Sequence, residues 1–195
     1  MDEPIGRRER KKAQTRTSLA DAALRLFLEH GYDRVSVKDV AEAADVSVTT
    51  LFKHFPSKEA LLFDLDEDLE AGLVAAVRDR APGQSIPQAL REHILLRANK
   101  VRAETAQTAA FTRMIADTPV LREYARRMWL RHETVLAEAI AADIGAVSDD
   151  ISCAALARFA LDASGLIERH PDPSHAANEV FALLENGWNT AHSVR

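Results

Sequence analysis

Ser36–Lys58, SVKDVAEAADVSVTTLFKHFPSK, decides the fold. Ser36 is placed to cap a helix, with Asp39 at the third helical position as the reciprocal partner of a capping box. Val37, Val40, Ala41 and Ala44 follow at i, i+3, i+4 and i+7, which makes one apolar helical face. Asp45 stands where the chain needs a left-handed residue, a conformation Asp tolerates better than most. Ser47 caps a second helix. Its apolar face is Val48, Leu51, Phe52 and Phe55, and its other face carries Thr49, Thr50 and Lys53. Pro56 cannot continue that helix, and Ser57 caps the next.

Two short helices joined by a tight turn describe a helix-turn-helix. The second is too short to be stable alone, so its neighbours must hold it. Its outward surface is small, hydroxylated and basic, as a helix entering the major groove requires. The same spacing also describes an ordinary pair of packed helices with solvated Thr and Lys.

Three pieces separate these alternatives: AALRLFLEHGYDRVSV (22–37), DVAEAADVS (39–47) and TLFKHFPSKEALL (50–62). In this order they resemble the N-terminal domain of the tetracycline-repressor (TetR) family of bacterial regulators. The resemblance implies an all-α protein of about nine helices. A three-helix DNA-binding domain would occupy 13–63, with its recognition motif at 37–55, and a ligand-binding and dimerisation domain would occupy 64–195. The DNA-facing set is then Ser47, Val48, Thr49, Thr50 and Lys53 on or beside the recognition helix. Lys38 joins it at a place where family members contact DNA, and Ser36, His54 and Lys58 join it at phosphate-facing places. Lys58 also sits at a helix start, where backbone N–H groups favour an anion. Two residues depart from the family pattern. Phe52 replaces the usual Tyr, keeping the packing and losing the hydroxyl that bonds a phosphate. Asp45 replaces the usual Gly, leaving a slightly strained turn.

The charge is unevenly placed. The chain of 195 residues has a formal net charge of −5. Residues 1–63 hold 11 Lys and Arg against 10 Asp and Glu, a net +1, and the remainder holds 14 against 20, a net −6. That balance excludes a general nucleic-acid coat and leaves room for a local DNA-binding face. The basic excess lies in residues 7–16: Arg7, Arg8, Arg10, Lys11, Lys12 and Arg16 against Glu9. With residues 1–9 expected to be mobile, this segment reads as a flexible arm suited to phosphate or minor-groove contacts, or as a frayed, solubilising terminus. One cysteine, Cys153, forms no intrachain disulfide and fits a reducing cytoplasm. Its apolar helical setting marks it as a small buried hydrophobe. No apolar run approaches the roughly 20 residues that span a bilayer, so no membrane partner is expected.

The first helix carries Leu19, Ala22, Ala23, Leu26 and Phe27 on one face and ends at Gly31. A fourth helix is expected from Ser57 to about Arg80, ending at the linker Pro82-Gly83-Gln84-Ser85. Five more follow, at about 86–103, 105–117, 119–143, 149–169 and 174–192. The last two are amphipathic and Ala-rich, and the resemblance implies that they form a four-helix homodimer interface with their copies. Pairing also follows from the reading chemistry, because one head reads few base pairs and a two-fold supplies a second half-site of a palindromic operator.

A small-molecule effector is expected in the second domain, where Leu95, Phe111, Met114, Ile115, Tyr124, Met128, Trp129, His132 and Phe159 are candidate pocket residues. Their apolar balance favours a hydrophobic or amphipathic ligand. The stretch around TPVLREYARRMWLRHETVLAEAIA resembles the subgroup with an acyl-coenzyme-A-like ligand domain. In that case Arg91, Arg97, Lys100 and Arg113 would be available to phosphates. Release by a protein partner, without a cavity, is the alternative. No Glu-x-x-His pair, CxxC, HExxH, GxSxG or phosphate-cradling Gly loop is present. Catalysis, a metal and a cofactor are therefore not expected.

Overall fold

The computed structural model of the chain describes residues 6–64, 66–102 and 105–192. Among them there are helices and no strand: α1 Arg7–His30, α2 Val37–Ala43, α3 Val48–His54, α4 Asp66–Arg78, α5 Ile86–Arg102, α6 Thr105–Asp117, α7 Pro119–Ile144, α8 Ile151–Arg169 and α9 Pro173–His192.

Local chemistry sets the ends of the short helices. The Asp39 N–H donates to Ser36 Oγ at 3.2 Å, and the Ser36 N–H donates to the Asp39 carboxylate at 2.7 Å, closing the capping box of α2. These bonds from Ser36 hold the Asp39 carboxyl below its ordinary range. At the other end Asp45 adopts φ 54°, the one non-glycine residue with positive φ among those described. The turn returns the Val46 N–H to the Ala41 carbonyl at 2.9 Å. Ser47 Oγ then accepts from the Thr50 N–H at 3.1 Å and starts α3. Gly31, at φ 86°, stops α1 and gives its N–H to Phe27.

The chain divides into two compact units, each with its own core. The first comprises the N-terminal segment through Asp66 together with 109–125. Its core holds Leu19, Phe27, Val40, Leu51, Phe55 and Leu61, joined by Leu121. Phe63 stacks on Tyr124 at 5.1 Å and meets Phe111 edge-on at 6.3 Å. The segment 109–125, which follows the boundary expected at 63/64, thus packs with the first unit. The second unit holds the rest, around Leu73, Val77, Leu90, Ile94, Leu136, Ile140, Leu156 and Phe181.

Two expected features differ. The fourth helix does not run unbroken from Ser57. A single 3-10 turn, Glu59–Leu62, comes first, capped by Ser57 Oγ, and α4 begins only at Asp66. Arg16 lies at the break. Its guanidinium pairs with the Asp64 carboxylate at 2.6 Å and also donates to the Asp64 carbonyl at 3.2 Å, taking an acceptor that a continuous helix would use. The basic segment is not a flexible arm either. Arg7 to Arg16 are the first turns of α1, with Glu9 folded back onto the Gly6 N–H at 3.4 Å. Residues 1–5 of the expected mobile terminus lie outside the described residues.

Candidate nucleic-acid interface

The recognition helix α3 has seven residues and buries only Leu51 fully. Its position comes from its partners. Arg16 donates to the His54 carbonyl at 2.9 Å and lies 4.6 Å over the Phe55 ring, fixing the C-terminal end of α3. Arg16 thus acts inside the protein, tying α1 to α3, and is not available as a phosphate-seeking arm residue.

On the open side, Thr49 and Lys53 are exposed and make no hydrogen bond or ion pair among the described residues. Phe52 stands between them at 49% exposure. This corrects the assignment of Phe52 to the packed face. In a two-turn helix the apolar stripe is held by Leu51 and Phe55, and position 52 swings to the side of 49 and 53. Spacing carried the signal, because i, i+3 and i+4 from Thr49 define one face. An exposed aromatic beside Thr and Lys offers apolar contact to thymine methyls.

The other expected contacts are in differing environments. Ser36 and Ser47 are exposed, with hydroxyls engaged in caps, and Thr50 Oγ1 shares a 2.9 Å hydrogen bond with Ser47. Val48 is half-buried against the first core. Lys38 is exposed, 3.6 Å from Glu42. His54 is half-buried, and burial, then Lys12 and Arg16, push its imidazole below its ordinary pKa.

Lys58 is turned inward. Its Nζ donates to the Tyr32 carbonyl at 2.6 Å and lies 4.0 Å from the centre of the Tyr32 ring. Burial lowers its pKa against the opposing charges of Asp33, Glu59 and Asp39. The Tyr32 hydroxyl donates to Glu59 at 2.8 Å, so Lys58 and Glu59 bracket one aromatic residue. Lys58→Ala should therefore cost about 1–2 kcal/mol, from a charge-assisted hydrogen bond and a cation–π contact. That corresponds to a Tm loss of roughly 3–6 °C. Thermal denaturation checks the loss. An unchanged Tm with a flattened salt dependence of DNA binding would instead assign Lys58 to a phosphate.

The expected ligand residues are divided between the two units. Phe111, Met114, Ile115 and Tyr124 pack against the core of the first unit. Leu95 and Trp129 pack against the core of the second, where Met128 and His132 are buried. Phe159 faces outward at 55% exposure. Residue spacing places a side chain on a helix face but does not say which core that face meets. The cations proposed for an acyl-CoA headgroup are likewise divided between the two units. Arg91 bonds Asn178 at 2.7 Å, Arg97 bonds Glu168 at 3.4 Å, Lys100 is exposed in the second unit and Arg113 is exposed in the first.

A shallow cleft of about 480 Å³ lies in the first unit, between the end of α1 and α6. An apolar groove of about 270 Å³ lies between α8 and α9, lined by Ala155, Leu156, Phe159, Leu183, Leu184 and Trp188. No group of three or more His, Cys, Asp or Glu side chains forms a metal site among the described residues. None of their helices is long and apolar enough to cross a membrane.

A capped helix pair joined by a left-handed turn, with an open Thr/Phe/Lys face on the second helix, defines a DNA-reading helix-turn-helix. Comparison with known proteins gives the family. Residues 19–65 match the profile of bacterial regulatory proteins of the tetR family. The chain is 35% identical over 152 residues to the HTH-type transcriptional regulator TcmR of Streptomyces glaucescens, covering 74% of this chain and 67% of that one. It is 31% identical over 144 residues to the putative mycofactocin biosynthesis transcriptional regulator MftR of Mycobacterium tuberculosis, covering 72% and 71%. The protein belongs to the tetR family and is a DNA-binding transcriptional regulator. Among solved structures it shares the fold of the repressor AlkX from Dietzia sp., with TM-score 0.58, 22% identity, and 89% and 97% of the two chains covered. FadR of Thermus thermophilus, a repressor solved in complex with lauroyl-CoA, matches with TM-score 0.55 and 25% identity over 88% and 94% of the chains.

Proposed function

We propose that the protein is a homodimeric repressor that occupies a palindromic operator through Thr49, Phe52 and Lys53 and is released by a hydrophobic or amphipathic small molecule. The open face of α3 carries the reading. These side chains stand outward on a helix whose ends Ser47 and Arg16 already satisfy. The exposed apolar residues of α8 and α9 support pairing. Phe159, Leu166 and Leu183 have no reason to face water in a lone protomer. Two copies joined there would present two reading helices to successive major grooves, about 34 Å apart. A dimer bound across a promoter represses by excluding polymerase.

The effector reading is supported by the lauroyl-CoA complex of FadR and by a polar group inside the second unit. His132 is 1% exposed, packed edge-on to Trp129 at 5.5 Å and 3.9 Å from the Glu70 carboxylate, which Arg131 also approaches at 3.1 Å. In this reading the domain 64–195 senses and 13–63 binds DNA.

Two measurements test the proposal. Selection from random duplexes should recover a two-fold symmetric site bound by a dimer, and recovery of no preferred sequence rejects the DNA reading. A thermal-shift series with fatty acids, acyl-CoAs, dyes and antibiotics should show at least one compound that raises Tm and weakens operator binding. A panel without a hit favours gating by a protein partner.

A further inference from the structure

Two helices of the first unit end at the same cleft. The cleft of about 480 Å³ is lined by Phe27, Leu28 and Gly31 at the end of α1 and by Met114, Asp117 and Thr118 at the end of α6. Its floor is apolar. Phe27 and Tyr32 are 1% and 6% exposed, with ring centres 5.1 Å apart, and Met114 is half-buried. Its wall carries Asp33, Arg34 and Asp117, all exposed. Each helix end adds the negative pole of its peptide dipoles, equivalent to about half a charge. Part of that charge is answered locally. Arg34 donates to the His30 carbonyl at 2.6 Å, and Arg122 donates to the Ala116 carbonyl. The Gly31 and Thr118 N–H groups return to Phe27 and Met114. Asp33 and Asp117 accept no hydrogen bond and form no ion pair among the described residues, although Arg113 stands one turn before Asp117. Lys58, held on the Tyr32 carbonyl, is shared among Asp33, Glu59 and Asp39. The cleft thus joins an apolar floor to an excess of negative charge.

We propose that this cleft binds an amphipathic organic cation, its apolar body on Phe27, Tyr32 and Met114 and its charge toward Asp33 and Asp117. The cavity falls within the range of small-molecule sites, about 300–1,000 Å³. A metal ion or a free ammonium would leave the apolar floor wet. A neutral body forfeits the carboxylates, and an anion meets them as like charges. The site is separate from the effector reading above, whose polar group, His132, lies in the second unit. It does not depend on the DNA reading either. An occupant would rest on Tyr32, whose hydroxyl donates to Glu59 at 2.8 Å and whose carbonyl accepts from Lys58 at 2.6 Å. Binding there would hold the turn between α1 and α2 and raise Tm.

The test uses the full chain without DNA, dialysed at low ionic strength against tetraphenylphosphonium or tetraphenylborate. These ions are nearly alike in size and shape and opposite in charge. The phosphonium should bind at least ~10-fold more tightly than the borate, and added salt should shrink that ratio. Asp33→Asn with Asp117→Asn should bring the two ions to within ~2-fold of each other, since only the charge of the wall has changed. Tm of the unliganded protein should be unaltered by that exchange. Glu138→Gln with Asp149→Asn removes two exposed carboxylates of the second unit and should leave the ratio intact. Failure to bind the phosphonium, equal binding of both ions, or a preference that survives the loss of both wall carboxylates refutes the site. None of these outcomes bears on whether the protein selects a duplex, so the proposed function is judged apart from it.

Discussion

A protein carrying Thr49→Ala together with Lys53→Ala folds as the parent does and no longer discriminates its operator. Both side chains are exposed and unpartnered among the described residues, so their loss leaves no cavity and no orphaned buried group. Each base-reading contact is worth about 1–3 kcal/mol of discrimination, and a dimer loses them in both heads. Two contacts in each of two heads give an expected loss of about 4–12 kcal/mol, at least ~700-fold in specific affinity. Non-specific binding, which rests on phosphates, should fall far less. Titration of the selected duplex against a scrambled one separates the two. Equal affinity of wild type and variant for the selected duplex would mean that α3 is not the reading element.

Leu183→Glu should abolish the dimer and, with it, operator binding. Leu183 is 75% exposed in the protomer, so a carboxylate is harmless there until a partner covers it. In a two-fold interface each substitution counts twice. Two leucine side chains withdraw from burial, at about 1.5–3 kcal/mol each, and two carboxylates face desolvation without a counter-ion. The combined cost exceeds ~3 kcal/mol, a shift of more than ~100-fold in the dimer constant. Sedimentation of the variant should show a folded monomer with unchanged helical content. A variant that still sediments as a dimer would place the pairing surface away from α9.

What the sequence disclosed about this protein depends on how far apart the cooperating residues are. Ser36 and Asp39 are three positions apart, as are Ser47 and Thr50, and the left-handed turn at Asp45 needs only its own conformation. Caps and turns of that range are written in adjacent letters, so the ends of α2 and α3 and the limits of α5 to α9 were legible. Arg16 meets His54 across 38 positions and Asp64 across 48, and Lys58 meets Tyr32 across 26. Nothing local distinguishes a cation that will fold inward from one that will stay in water. Lys58 was therefore read as a partner for phosphate, and Arg16 as part of a basic arm or a frayed terminus, when both are ties within the protein. Phe52 failed for a different reason. A helical wheel assigns a stripe, but two turns of helix give it too few neighbours to bury its edge. For the pocket candidates, periodicity says which side of α6 or α7 is apolar and is silent on which of two cores receives it.

Cys153, the single thiol of the chain, is 0% exposed. Maleimides and iodoacetamides need an accessible thiolate, so the native sulfur should stay silent in the folded state. A cysteine placed at Gln14, exposed on α1, would be the one position that takes a dye. Fluorescence from that label would follow DNA binding in the otherwise unmodified polypeptide.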